Sequence, residues 1–155
     1  MTSASTAAAA MQQHQKPRFS PGTDEAASSA ALVPLLSPDG AGGRWALAKN
    51  GEALERTFRF KTFAKTWDFM TAVSLQCKIN NHHPEWSNVY NTTFIRWTTH
   101  SPKGLSQKDI DLARACDDIA RQLGELEPEP ASCEIRGLAD GVASSNPDCC
   151  AKPSK

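Results

Sequence analysis

Hydrophobic and polar positions along this chain change period several times, and each change marks an element. Phe63, Trp67, Met70, Val73 and Cys77 step by three or four residues, which is one face of a helix over "KTFAKTWDFMTAVSLQCKIN". That stripe is expected to pack against a sheet. Upstream, "RWALAKNGEALERTFRF" alternates instead. Leu54, Phe58 and Phe60 share one parity with Arg56 as the exception, and Asn50-Gly51 predicts a type I′ hairpin turn. Downstream, "WSNVYNTTFIRWTT" is rich in β-branched and aromatic residues, and Thr93, Ile95 and Trp97 alternate onto one face.

The helices at either end are unequal in signal. "DEAASSAALVPLL" predicts a weak helix that Pro34 opposes. Ser106 and Asp109 form an S-x-x-D variant of the capping box, and Leu105 and Ile110 are placed as a hydrophobic staple. Ile110, Ala113, Cys116, Ile119, Ala120 and Leu123 then form a buried face. The order α-β-β-α-β-β-α predicts an α+β fold, a four-stranded antiparallel sheet covered by helices on one face.

Composition changes the picture at the two ends. Residues 1–20 are rich in Ala, Ser and Gln and predict a disordered tail; with no acid before Asp24, an organelle transit peptide is a weak second reading. Residues 127–155 carry prolines, small residues and scattered charges, and predict a flexible tail. The expected domain is therefore 21–126.

Charge and cysteines narrow the class. Lys+Arg and Asp+Glu are both 17, so zero net charge disfavours direct nucleic-acid binding or a polybasic membrane role. No apolar run reaches the roughly 20 residues of a transmembrane helix, and no secretory h-region follows the first methionine. Five cysteines without a C-x-x-C predict reduced thiols and a cytoplasmic protein, a nuclear or organellar location being open as well.

The candidate chemistry lies in "INNHHPEWSNVYN" and at His100. Zinc fits poorly: neighbouring His82 and His83 point to opposite faces in extended chain, and four ligands are not gathered. Nucleophilic catalysis lacks its partner, since Cys77 lies on the core stripe and no G-x-S-x-G occurs. General acid–base work suits histidines best. Pro84 fixes the backbone at the helix-to-strand junction, and His100 closes the long strand segment, so the three rings could converge without a metal.

These residues resemble the pterin-4a-carbinolamine dehydratase family. The pattern is Lys78, His82, His83, Pro84, Tyr90, His100 and Asp109, set in "NHHPEWSNVYN" and "THSPKGLSQKDIDLA", and it covers about 26–123. The resemblance implies a hydro-lyase that removes water from 4a-hydroxytetrahydropterin to give quinonoid dihydropterin, after aromatic amino acid hydroxylases, with no cofactor. It implies that His82 and His100 do the acid–base work and that His83 mainly holds the substrate. Trp86 reads as packing, and Asp109 as a cap, a site residue, or both. Lys78 stands where animal members carry glutamate; a lysine would disfavour a charged imidazole nearby.

The competing class is a non-catalytic dimerisation, transcriptional coactivator or assembly-factor module, for which the three histidines would have no use. Assembly is expected either way, as a homodimer or homotetramer. Phe69, Leu75 and Ile79 lie off the helix stripe, and segment 89–99 carries only Arg96 as a charge, which makes it a poorly defended sheet edge.

Overall fold

A computed structural model describes residues 15–36, 43–127 and 137–141. The elements follow the expected order: α1 (Glu25–Leu36), β1 (Ala46–Leu47), β2 (Leu54–Arg59), α2 (Phe63–Asn80), β3 (Glu85–Val89), β4 (Thr92–Trp97) and α3 (Gln107–Gln122). A short ribbon, β5 (Thr99–His100) with β6 (Lys103–Gly104), is added before α3. The sheet order is β1-β2-β4-β3, antiparallel throughout.

The inner face of the sheet and the helices form one core. Leu54, Phe58, Ile95 and Trp97 come from the strands, Phe69 and Val73 from α2, and Ile110, Ala113 and Cys116 from α3. Each large side chain fully buried there contributes about 1.5–3 kcal/mol. Arg56, the exception in the alternation, does face inward. Its guanidinium lies 4.1 Å from the Phe58 ring and is paired with Asp117 and Glu125. Burial, opposed by Arg56, leaves both carboxyls above the ordinary carboxylate range.

Three local expectations are corrected. The expected stripe of α2 holds in its second half, where Val73 is buried and Met70 and Cys77 pack against the core, but fails in its first: Thr66 and Phe69 are buried there, while Phe63 and Trp67 are 51% and 50% exposed. Thr62 caps the helix by accepting from the Lys65 N–H. With that start, the Phe69 ring packs between Phe58 at 4.7 Å and Phe60 at 5.0 Å. Phe63 and Trp67 instead meet each other outside, at 5.7 Å. Second, the β1–β2 turn is not type I′. Asn50 does not have positive φ; Gly51 does, at 74°, and its N–H donates to Ala48 within a longer loop. Third, segment 89–99 is no edge. It holds the β3–β4 turn and β4, which lies between β2 and β3, so the sheet's edges are β1 and β3.

The described residues on either side of the domain engage it. Arg18 and Ser20 exchange backbone hydrogen bonds with Leu105, and the Arg18 N–H donates to Gly51. Two glycines make room for this segment. A Cβ on Gly51 would lie 2.3 Å from the Lys16 carbonyl oxygen, and one on Gly104 would lie 2.5 Å from the Ser20 nitrogen. At the other end, residues 137–141 form a helical turn whose Ala139 packs on Phe94, on the sheet's outer face.

Candidate functional site

The helix-to-strand junction begins where α2 stops. Asn81 adopts φ 46° and its N–H caps the carbonyls of Cys77 and Lys78, a left-handed C-cap that Asn tolerates. The chain leaves α2 through His82, His83 and Pro84 and enters β3 at Glu85. Consecutive positions in this extended stretch then separate the two histidines.

His82 turns inward. Its ring stacks on Trp97 at 5.8 Å and 14°, and its Nε2 lies 2.6 Å from Asp109 Oδ1. Asp109 is fully buried. Its other oxygen accepts from the Ser106 N–H at 2.8 Å, the Ser106 hydroxyl at 3.2 Å and the Thr99 hydroxyl at 2.8 Å. One carboxylate thus caps α3 and holds His82. A cleft of ≈ 570 Å³ opens beside His82, walled by Asp24, Asn81, Thr99, Ser106 and Lys108. That volume lies within the range of small-molecule sites.

His83 turns outward, as does His100. Their rings stack at 5.4 Å and 18°. His100 Nε2 lies 3.0 Å from Glu85 Oε1, and Arg96 Nη1 lies 3.0 Å from Glu85 Oε2. Strand register explains the second contact: Glu85 and Glu55 both stand opposite Arg96, on β3 and β2. Arg96 bonds Glu55 at 2.7 Å and also meets Asp140. Burial alone would disfavour its charge, but Asp140, Glu85 and Glu55 outweigh that and keep it firmly protonated.

The expected convergence of three rings is therefore layered. His83 and His100 meet directly, while His82, at 12% side-chain exposure against 33% for His100, lies deeper with Asp109 and Thr99. Lys78 is exposed on the last turn of α2, where a cation complements the helix terminus. Trp86 packs against the core from β3. Tyr90 holds the β3–β4 turn at φ 52°. Five strand residues separate it from the His83 end, about 17 Å, so it is not brought to the cluster of its own chain. Pattern reading missed Glu85 and Arg96. Glu85 follows Pro84 directly, but its pairing with Arg96 depends on a register that alternation alone does not supply.

The family model for pterin 4 alpha carbinolamine dehydratase matches residues 23–119, well over half the chain. A protein of Novosphingobium aromaticivorans named "Putative pterin-4-alpha-carbinolamine dehydratase" is 49% identical over 75 residues, 48% of this chain and 78% of that one. A protein of the same name from Afipia carboxidovorans is 38% identical over 102 residues, 66% of this chain and 94% of its own. The crystal structure of a transcriptional coactivator/pterin dehydratase from Brucella melitensis superposes with a TM-score of 0.53 at 35% identity, covering 62% of this chain and 95% of that one. The chain belongs to the pterin 4 alpha carbinolamine dehydratase family.

Proposed function

We propose that this chain is a hydro-lyase that converts 4a-hydroxytetrahydropterin to quinonoid dihydropterin, recycling the pterin used by aromatic amino acid hydroxylases. The observation that carries the reading is that two imidazoles each stand on a carboxylate, His82 on Asp109 and His100 on Glu85. In the reaction the C4a–O bond breaks and the hydroxyl leaves as water after accepting a proton. N5 gives up its proton and the N5–C4a double bond forms. No electrons enter or leave, so one acid and one base suffice. His82 and His100 take those roles, and His83, stacked on His100, offers a flat surface to a flat ring. Asp109 fixes the His82 ring.

The test is a stopped-flow assay of the loss of 4a-hydroxypterin absorbance. His82→Ala and His100→Ala each lower the rate on the order of 10²-fold or more. His83→Ala acts mainly on KM. Unchanged turnover in both the His82 and His100 variants refutes the assignment.

A second reading, a non-catalytic assembly module, draws support from α2. Phe63, Trp67, Leu75 and Ile79 are exposed along it, and β3 is an open edge. We take these as a homodimer or homotetramer surface that serves the enzyme. A variant without the three histidines that still assembles but no longer turns over separates the roles. Cys77 and Cys116 are free thiols, and among the described residues no helix is long and apolar enough to cross a membrane. Both features suit a cytoplasmic enzyme.

A further inference from the structure

We propose that Glu85, locked by Arg96, is a positioning residue that sets the tautomer of His100. The kinetic part of this inference rests on the dehydratase reading; the structural part does not. A carboxylate only accepts hydrogen bonds. With Glu85 Oε1 3.0 Å from His100 Nε2, the neutral ring carries its proton on Nε2 and keeps its lone pair on Nδ1. Glu85 cannot rotate away from this task, because its second oxygen is taken by Arg96 Nη1 at 3.0 Å. Arg96 is itself held by Glu55 at 2.7 Å and by Asp140. Arginine has donors and no acceptor. It therefore dictates which atom of residue 85 faces it, and that choice dictates what faces His100.

The consequence is specific. In Glu85→Gln the amide is nearly isosteric with the carboxylate, but Arg96 must still receive an oxygen. The amide nitrogen is then turned toward His100 and donates to Nε2. The ring must accept there and carry its proton on Nδ1, so the tautomer is inverted while the packing is kept. Removing Arg96 as well releases the amide, which can turn its oxygen back to His100. A purely structural Glu85 would produce neither the inversion nor the recovery.

The experiment records ¹⁵N chemical shifts of the His100 ring, in the full chain above the ring's titration, for the parent, Glu85→Gln, Glu85→Gln with Arg96→Met, and Glu55→Gln. The expected results are the Nε2–H tautomer in the parent, Nδ1–H in Glu85→Gln, and a return of Nε2–H in the double variant. Glu55→Gln, which changes the Arg96 surroundings without touching His100, keeps the parent tautomer. In the stopped-flow assay Glu85→Gln lowers kcat at least about tenfold, and the double variant recovers part of it. An unchanged His100 tautomer in Glu85→Gln overturns the proposal, as does inversion that persists in the double variant. A parent chain that never turns over would refute the dehydratase reading instead, with the ring spectra still deciding the role of Glu85.

Discussion

Replacing Gly104 with alanine should damage this fold far more than a surface Gly→Ala change ordinarily does. Gly104 sits in β6 at φ 134°, and an added Cβ would lie 2.5 Å from the Ser20 nitrogen and 2.6 Å from the Phe19 carbonyl carbon. The obstacle is backbone, so no rotamer change relieves it. Two costs follow. The backbone conformation alone costs an L-residue about 1–3 kcal/mol. Moving segment 18–20 aside also breaks Leu105 N–H to Arg18 at 2.9 Å, Ser20 N–H to Leu105 at 2.8 Å, and the Ser20 hydroxyl to Pro102 at 2.7 Å. At about 0.5–1.5 kcal/mol net for each bond, the two costs together come to about 5 kcal/mol. That is a large share of the roughly 5–15 kcal/mol that holds a domain together, and corresponds to a fall in Tm on the order of 15 °C. Gly22→Ala and Gly124→Ala are the controls. Both glycines have positive φ, 90° and 77°, with nothing within 4 Å of the added carbon, so only conformational strain remains. A second arm repeats Gly104→Ala in a chain lacking residues 1–20, where the obstacle is gone and the cost drops to strain alone. Thermal and urea unfolding give both numbers. Equal losses for Gly104→Ala and the two controls, or for Gly104→Ala with and without residues 1–20, would refute the close-approach account.

Other outcomes follow from the same contacts. Asp109→Asn keeps a carbonyl on the Ser106 and Thr99 side, so stability falls by only about 1 kcal/mol; its amide then faces His82, and the dehydration rate drops by about 10², a split that denaturation and stopped flow resolve. Arg56→Met removes the buried cation shared by Asp117 and Glu125, leaving Glu125 only Arg44 at 3.5 Å and Asp117 only the Trp45 N–H at 2.8 Å, and costs about 3 kcal/mol near neutral pH. Their pKa values are already raised by burial; losing Arg56 raises them further, so the variant is most stable in acid and loses stability as pH rises through those folded-state values, which urea titrations from pH 4 to 7 would follow. Truncation after Glu127 uncovers Phe94 and frees Arg96 from Asp140, and a loss of about 1 kcal/mol should appear in urea. Trp67→Glu with Phe63→Glu should lower the sedimentation mass of the assembled chain while leaving the monomer folded; an unchanged mass would place the assembly surface elsewhere.

Legibility in the sequence was uneven, for physical reasons. The helix at 107–122 could be read nearly to the residue, because its cap, its staple and its buried face all state the same phase. For α2 the period and the C-terminal half of the face are readable, and the N-terminal half is not. In its first turns Phe63-Trp67 and Thr66-Phe69 both lead into Met70 and Val73 at helical spacing, and only the fit of Phe69 between Phe58 and Phe60 chooses between them. The inward Arg56 was visible as an exception but not explained, since Asp117 and Glu125 lie some sixty residues away in sequence. At the site, the histidines stand out by rarity and spacing, and Asp109 by its capping position. Glu85 and Arg96 look like ordinary strand-surface charges until the β3–β4 register sets them opposite each other.

The double duty of Asp109 bears on how relatives of this chain could drift. Its carboxylate starts α3 and also grips His82, so selection for a folded domain preserves it even where selection for turnover has lapsed. Among descendants that abandoned the chemistry, the acid at this position should therefore persist as a fossil of the fold. His83 and His100, whose rings stack on each other at the surface, have no comparable structural claim, whereas His82 packs on the buried Trp97 and its N–H closes α2 on the Cys77 carbonyl. In any such lineage His83 and His100 should be the first of the three imidazoles to erode, while His82, like the aspartate, is retained by its packing.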